Sequence, residues 1–87
     1  MVLVEPYIDN SDIRTFDIAA SQDEYVWHKD KEDRKILVVT GNGWQLQMED
    51  CLPFLLTEGL KFIIPKYTYH RLIKGVDELQ VRITPYV

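Results

Sequence analysis

The segment HKDKEDRKILVVTG, residues 28–41, contains the most informative pattern in this sequence. His28 and Asp30 stand two positions apart, so on an extended chain their side chains point to the same side. A charged turn then leads to Arg34, and a run of four aliphatic residues follows before Gly41. A strand that is apolar on both faces lies between a core and a second layer, or at a subunit contact. The segment therefore predicts such a strand, preceded by two polar side chains that share a side.

Short runs of residues, separated by frequent turn residues, make up most of the remaining chain. Apolar and polar residues alternate at 44–48 and 79–84, and more weakly at 13–19, whereas residues 62–64 are apolar on both faces. No longer window shows the 3.6-residue apolar period of an amphipathic helix. Seven to nine short strands in a chain of 87 residues predict an all-β sandwich or barrel. We expect residues 1–87 to form a single domain, because this length suffices for one domain only.

A second spaced set lies downstream, where five residues separate Gly59 from Pro65 and His70 follows five positions later. Together with residues 28–41, this layout resembles the two sequence motifs of the cupin superfamily. The resemblance covers about residues 26–84. It implies a cupin-type double-stranded β-helix, which is a jelly-roll barrel. Glycines at turns and a proline at a strand end suit such a barrel, because each occupies a backbone position that other residues tolerate poorly.

The first motif is only partly kept. His28 stands at its first histidine and Gly41 at its closing glycine, but Asp30 replaces the second histidine and Arg34 the glutamate. In the second motif, Tyr67 replaces an inner glycine. In the family, the two histidines and the glutamate of the first motif surround one metal ion together with the histidine of the second motif. This sequence therefore changes two of the four ligand positions.

The resemblance implies a metal site made of His28, Asp30 and His70. Two histidines and one carboxylate are the ligand set of many non-haem iron enzymes, in which open coordination positions accept substrate or oxygen. The ion would be one divalent metal, with iron, nickel, manganese and zinc as candidates, and the chain would be a dioxygenase or an isomerase. Arg82 and Thr84 also have the spacing of the Arg-x-Ser pair that holds the co-substrate in 2-oxoglutarate oxygenases.

Arg34 favours a different interpretation, because a permanently charged guanidinium repels a divalent ion and pairs with Asp30 instead. A metal-free barrel mouth would then bind a small molecule through His28, Arg34 and His70. Arg34 would hold a carboxylate or a phosphate, and a neutral histidine beside it would be able to transfer a proton. This is the function that we expect first, with no other cofactor. The sequence does not assign catalytic residues or decide whether the chain is an enzyme.

A third interpretation makes the barrel a non-catalytic interaction module or scaffold. In that case the outward side chains of Leu37 and Val39 would contact a partner. Otherwise we expect a homodimer, since a thin core without a disulfide gains stability by pairing. Trp27 and Trp44 are expected to be core or dimer contacts. Tyr69 precedes His70 and is therefore expected to point to the opposite face.

Composition and charge limit the binding partners and the cellular location that we expect. The net charge is −4, the isoelectric point is about 5.0 and the basic residues are scattered, so nucleic acids and anionic membranes are not expected partners. Residues 1–6 lack the pattern of a signal peptide, and no run approaches the roughly 20 apolar residues of a membrane span. Cys51 is the only cysteine, which fits a reducing compartment. We therefore expect a cytoplasmic protein.

Overall fold

Eight short β-strands form the regular structure of residues 7–20, 22 and 25–85, which the computed structural model describes. Residues 1–6, discussed above for their lack of a signal pattern, lie outside this range. The described residues contain no helix long and apolar enough to cross a membrane. The all-β prediction is confirmed. In chain order the strands are β1 Tyr7–Asn10, β2 Ile13–Phe16, β3 Arg34–Thr40, β4 Gln45–Met48, β5 Phe54–Leu55, β6 Lys61–Ile64, β7 His70–Ile73 and β8 Leu79–Pro85.

The strands form two antiparallel sheets. The larger sheet has the order β1-β2-β8-β3-β6, and the smaller sheet has the order β5-β4-β7. The last strand therefore lies inside the larger sheet, between β2 and β3. This order places Arg14 of β2 opposite Val81 of β8, and Arg34 of β3 opposite Ile64 of β6. Two residues that are distant in the sequence thus reach the same sheet, on the face that lines the interior.

The core lies between the sheets, and strand alternation decides which residues enter it. Along β3, Ile36 and Val38 are buried, whereas Leu37 and Val39 are only half-buried on the outer face. Trp44 is 0% exposed, and its indole N–H donates to the carbonyl of Asp77, which satisfies its only polar group. The buried apolar set comprises Ala20, Tyr25, Ile36, Val38, Trp44, Leu46, Leu56, Ile64, Leu79 and Val81.

The turn after β6 has the geometry expected of the second motif. Pro65 directly follows the last residue of β6, as the sequence predicted. Tyr67, which stands where the motif has glycine, adopts φ 62°. This left-handed conformation costs a non-glycine residue about 1–2 kcal/mol. Its backbone N–H donates to the carbonyl of Asp30 at 2.7 Å, so the strained turn ties the two motif segments together.

Two sequence predictions are wrong in part. The strand predicted across residues 13–19 ends at Phe16, because the Asp17 carboxylate accepts a hydrogen bond from the Ala19 N–H at 2.8 Å and forms a turn. Trp27 is 42% exposed in the single chain and is therefore not part of the core, while its alternative role as a dimer contact stays a prediction. The guanidinium of Arg71 lies 5.0 Å from the centre of its ring, where a cation–π contact covers one face.

Candidate functional site

A single β-bridge joins His28 to His70 and brings the two motif segments together. The N–H of His28 donates to the carbonyl of His70 at 3.0 Å, and the N–H of His70 donates back to the carbonyl of His28 at 2.8 Å. The sequence predicted an ordinary strand at this point, but the pairing of His28 does not extend beyond this bridge. The two imidazole ring centres are nevertheless 4.3 Å apart.

Both imidazoles are oriented by the same local hydrogen bond. The Nδ1 atom of His28 lies 3.0 Å from the carbonyl oxygen of Val26, and that of His70 lies 2.8 Å from the carbonyl oxygen of Thr68. A carbonyl oxygen can only accept, so each ring donates from Nδ1. The lone pair of each neutral imidazole therefore resides on Nε2, which is the arrangement of a histidine prepared to bind a metal ion.

Asp30 supplies the carboxylate of the cluster. Its Oδ2 atom lies 3.5 Å from Nε2 of His70, and one ligand atom from each of His28, Asp30 and His70 lies within 4.8 Å of the others. Ligands that bind a metal at about 2.0–2.2 Å are themselves roughly 3–3.5 Å apart. The Asp30–His70 separation already has this value, whereas the group as a whole, at up to 4.8 Å, would contract by about 1–2 Å around an ion. Two imidazoles and one carboxylate also leave coordination positions open, so this donor set fits a divalent metal.

Arg34 lies beside this cluster but forms no hydrogen bond with it. Its Nε atom is 3.6 Å from Oδ2 of Asp30, a distance that permits ion pairing but exceeds a hydrogen bond. Among the residues that the structure describes, the Arg34 side chain donates no hydrogen bond. The Asp30 side chain is 13% exposed and that of Arg34 is 27% exposed, so the carboxylate faces inward while the guanidinium stands nearer the mouth.

His70 is buried, and burial is the main reason why its pKa is lowered from the ordinary value. The nearby His28 and Arg34 also lower this pKa, whereas the Thr68 carbonyl and the Asp30 carboxylate raise it. The net direction favours a neutral imidazole at neutral pH. Neutral imidazole is the form that binds a metal or accepts a proton.

A cavity of about 350 Å³ lies between the sheets and opens at this cluster. Its inner wall is apolar and includes Leu56, Phe62 and Leu79. The space between the sheets is therefore not completely filled by the protein's own side chains. The charged and imidazole side chains that line the cavity belong to Arg14, His28, Asp30, Arg34 and His70.

Arg14 is a site residue that sequence reasoning missed. Its Nε and Nη2 atoms donate to the two carboxylate oxygens of Asp9 at 2.7 and 3.1 Å, and its guanidinium lies 4.0 Å from the centre of the Tyr7 ring. The available signal was alternation, because Arg14 shares a face with Phe16, which packs against the core. Nothing in the sequence indicated that this face lines the same cavity as His28.

Arg82 and Thr84 do not line the cavity. They alternate along β8 with Val81 and Ile83, which do line it, and Arg82 forms an ion pair with Asp12 at 3.1 Å. The Arg-x-Thr spacing therefore has no counterpart in this site. Tyr69 is exposed while His70 is buried, as their adjacent positions predicted.

Comparison with known proteins gives structural likenesses only. No protein-family model and no curated protein matches the sequence. A cupin-2 domain protein from Shewanella frigidimarina matches with a TM-score of 0.61 and 19% identity, covering 91% of this chain and 76% of that one. Protein NMB1881 from Neisseria meningitidis matches with a TM-score of 0.61 and 17% identity, over 93% of this chain and 80% of that one.

An iron protein is also among the similar structures. The FeII form of HppE in complex with its substrate matches with a TM-score of 0.64 and 11% identity. The match covers 86% of this chain but 46% of that one, so this chain spans less than half of HppE. At these sequence identities, the similarity shows a shared backbone fold and no shared function. With its two antiparallel sheets and its two spaced motifs, this chain has the cupin fold.

Proposed function

We propose that this chain is a small-molecule-binding cupin that holds one divalent metal ion on His28, Asp30 and His70 and receives its ligand in the adjoining cavity. The observation that carries the proposal is the convergence of these three side chains, with both histidines donating from Nδ1 to a backbone carbonyl. Such hydrogen bonds fix the tautomer and the direction of a metal-binding imidazole.

The residues of the site have distinct roles in this proposal. His28 and His70 are paired across the backbone bridge, and with Nδ1 at a carbonyl each would offer Nε2 to the ion. Asp30 would contribute the negative charge that offsets part of the charge of the ion. The mixed nitrogen and oxygen donors suit iron, nickel, manganese or zinc. A bound ion of this class would supply Lewis-acid polarisation of an oxygen atom in the ligand. The apolar wall would exclude water from the rest of the ligand.

Arg34 is compatible with this arrangement because its contact with Asp30 is long. At 3.6 Å, the guanidinium can turn toward the cavity without breaking a hydrogen bond to the carboxylate. In the cavity it would bind an anionic group of the ligand. The cost is electrostatic repulsion toward the ion, which lowers metal affinity relative to a site with a neutral neighbour.

A metal-free ligand pocket is the second candidate function. It is favoured by the position of Asp30, whose Oδ2 atom lies 3.6 Å from Arg34 as well as 3.5 Å from His70, so the carboxylate has a cationic neighbour within the protein. In that case His28, Arg34 and His70 would bind the ligand directly. The location in the cytoplasm and the homodimer remain further proposals.

Metal titration tests the first proposal against the second. Protein purified without chelator or affinity metal is titrated with Zn²⁺ by calorimetry and with Co²⁺ by visible absorption. We expect one ion per chain. We also expect His70→Ala and Asp30→Asn to lose at least about 100-fold in affinity, since even outer-shell partners contribute 10- to 100-fold.

Asp50→Asn provides the matched control for charge removal. Asp50 is exposed and adopts φ 59°, a conformation that asparagine also tolerates. Its metal affinity should equal that of the wild type. If neither ion binds, or if Asp30→Asn binds as tightly as Asp50→Asn, the metal proposal is wrong and the metal-free pocket is retained.

A further inference from the structure

Two arginines stand where the main cavity meets a second, smaller one. The second cavity has a volume of about 200 Å³ and lies near the β1–β2 turn. Arg14, Arg34 and Ile83 line both cavities. Both arginines therefore border the junction of the two cavities, and Arg34 lies beside Asp30 of the metal-ligand cluster.

Arg14 is held in place by groups that leave some of its donors unused. Asp9 accepts from Nε and from one N–H of Nη2, and the Tyr7 ring covers one face of the guanidinium. Both N–H groups of Nη1 and one N–H of Nη2 have no hydrogen-bond partner among the described residues. A guanidinium that is positioned in advance loses little entropy when it binds a further acceptor.

Arg34 has still more unused donors. It is only 27% exposed, and within the described ranges its side chain contacts an acceptor only through the long approach to Asp30. Partly buried donors without acceptors are unfavourable, so a second acceptor in the cavity would be stabilising. Asp30 is the only carboxylate among the described residues that line the main cavity. Three carboxylates line the second cavity and one of them, Asp9, pairs with Arg14, so it is the unused N–H groups of the guanidiniums, and not an excess of positive charge, that favour an acceptor here.

We propose that the ligand of this cavity is a small monocarboxylic acid with an apolar body. This inference rests on the proposed ligand pocket and names its substrate class. The carboxylate accepts hydrogen bonds from Arg14 and Arg34 at the junction, where planar guanidiniums match its two oxygens. The apolar body extends along Leu56, Phe62 and Leu79. A single carboxylate accepts from the unused N–H groups of both arginines, and an apolar wall disfavours a second charged end.

The test uses 4-methylpentanoate and its neutral amide, 4-methylpentanamide, as probes of nearly equal shape. Each probe is titrated into ¹⁵N-labelled chain and followed by two-dimensional NMR, without metal and with Zn²⁺ present. The acid should shift the Nε–H resonances of Arg14 and Arg34, and it should bind about tenfold or more tightly than the amide, since a charged hydrogen bond contributes that much.

Arginine variants assign the effect to the two residues. Arg14→Gln and Arg34→Gln should each weaken the acid about tenfold or more and weaken the amide by less, because the amide accepts only a neutral hydrogen bond. Arg82→Gln is the control, because Arg82 is half-exposed and lies outside the cavity. If a glutamine variant does not give a folded spectrum, the lysine variant replaces it, and it should weaken the acid because lysine lacks the planar fork.

Several results would overturn the assignment. These are no binding of the acid, equal affinity for acid and amide, insensitivity to both arginine variants, or inorganic phosphate binding at these arginines more tightly than the acid. Zn²⁺ titration of the same variants separates this inference from the metal proposal. If a variant retains its Zn²⁺ affinity but the acid does not bind, the carboxylic-acid inference is wrong and the metal proposal stands. If Zn²⁺ does not bind, the metal site on His28, Asp30 and His70 is wrong, whatever the acid does.

Discussion

The Nε2 atom of His70 faces Oδ2 of Asp30 at 3.5 Å, although the two residues belong to different motif segments. Two backbone contacts hold them there. The bridge to His28 positions His70, and the hydrogen bond from Tyr67 fixes the carbonyl of Asp30 at 2.7 Å. The site is thus built from main-chain pairing between the two segments, with the side chains oriented afterward. Changes to this pairing should affect the site as strongly as changes to the side chains.

The buried imidazole of His70 predicts a pH-dependent stability. Its pKa is lowered in the folded chain, so the unfolded chain binds the proton more readily. Stability should therefore decrease as the pH falls below the ordinary histidine value of about 6.5 and level off below the folded-state pKa. Urea unfolding of metal-free protein from pH 8 to pH 5 measures this. His70→Gln should show a smaller decrease, and equal slopes would contradict the prediction.

Trp44 should carry much of the core stability. It is fully buried and its N–H is satisfied, so Trp44→Ala leaves both a cavity and an unpaired carbonyl at Asp77. We expect a loss of about 3–5 kcal/mol in the free energy of unfolding, which threatens folding in so small a domain. Trp27→Ala is the matched control and should change stability by less than about 1 kcal/mol. Circular dichroism in urea compares them, and similar losses would show that the core has been wrongly placed.

Tyr67→Gly should relieve backbone strain at the turn that holds Asp30. The left-handed conformation costs tyrosine about 1–2 kcal/mol, while glycine adds roughly 0.5–1 kcal/mol of unfolded-state entropy. The net gain in the free energy of unfolding should be about 0–1.5 kcal/mol. Tyr69→Gly is the control, since Tyr69 is not among the residues with positive φ and glycine there should only destabilise. A less stable Tyr67→Gly protein would mean that the exposed ring contributes more than the strain costs.

The outer face of β3 is where we expect self-association. Leu37 and Val39 are half-buried there in the isolated chain, opposite polar neighbours such as Arg82 and Lys61. Light scattering should give a mass near twice 10.3 kDa, and Leu37→Asp should give a monomer. Leu52→Asp is the matched control for added charge, because Leu52 is exposed and lies between β4 and β5, away from this face. A monomeric wild type would exclude the homodimer.

Sequence reasoning reached the fold because alternation and motif spacing are local properties. It also named His28, Asp30 and His70, which the structure brings together; their role as metal ligands stays a prediction. It placed His28 and Asp30 on a strand, whereas a single bridge holds His28 and a hydrogen bond from Tyr67 holds Asp30, because both partners depend on where the second segment lies. Trp27 was assigned to packing, since nothing local indicates how much neighbouring chain covers a tryptophan.

The sequence by itself determined that this chain forms short strands with one apolar face, since side-chain direction alternates wherever the backbone is extended. It also determined that the site contains two imidazoles with a carboxylate and a guanidinium nearby. Only the tertiary structure decided that Arg14 joins them, because strand β8 inserts between β2 and β3 and brings the first motif and the N-terminal hairpin into one sheet. Strand order arises from pairing over long sequence separations, which no local pattern records.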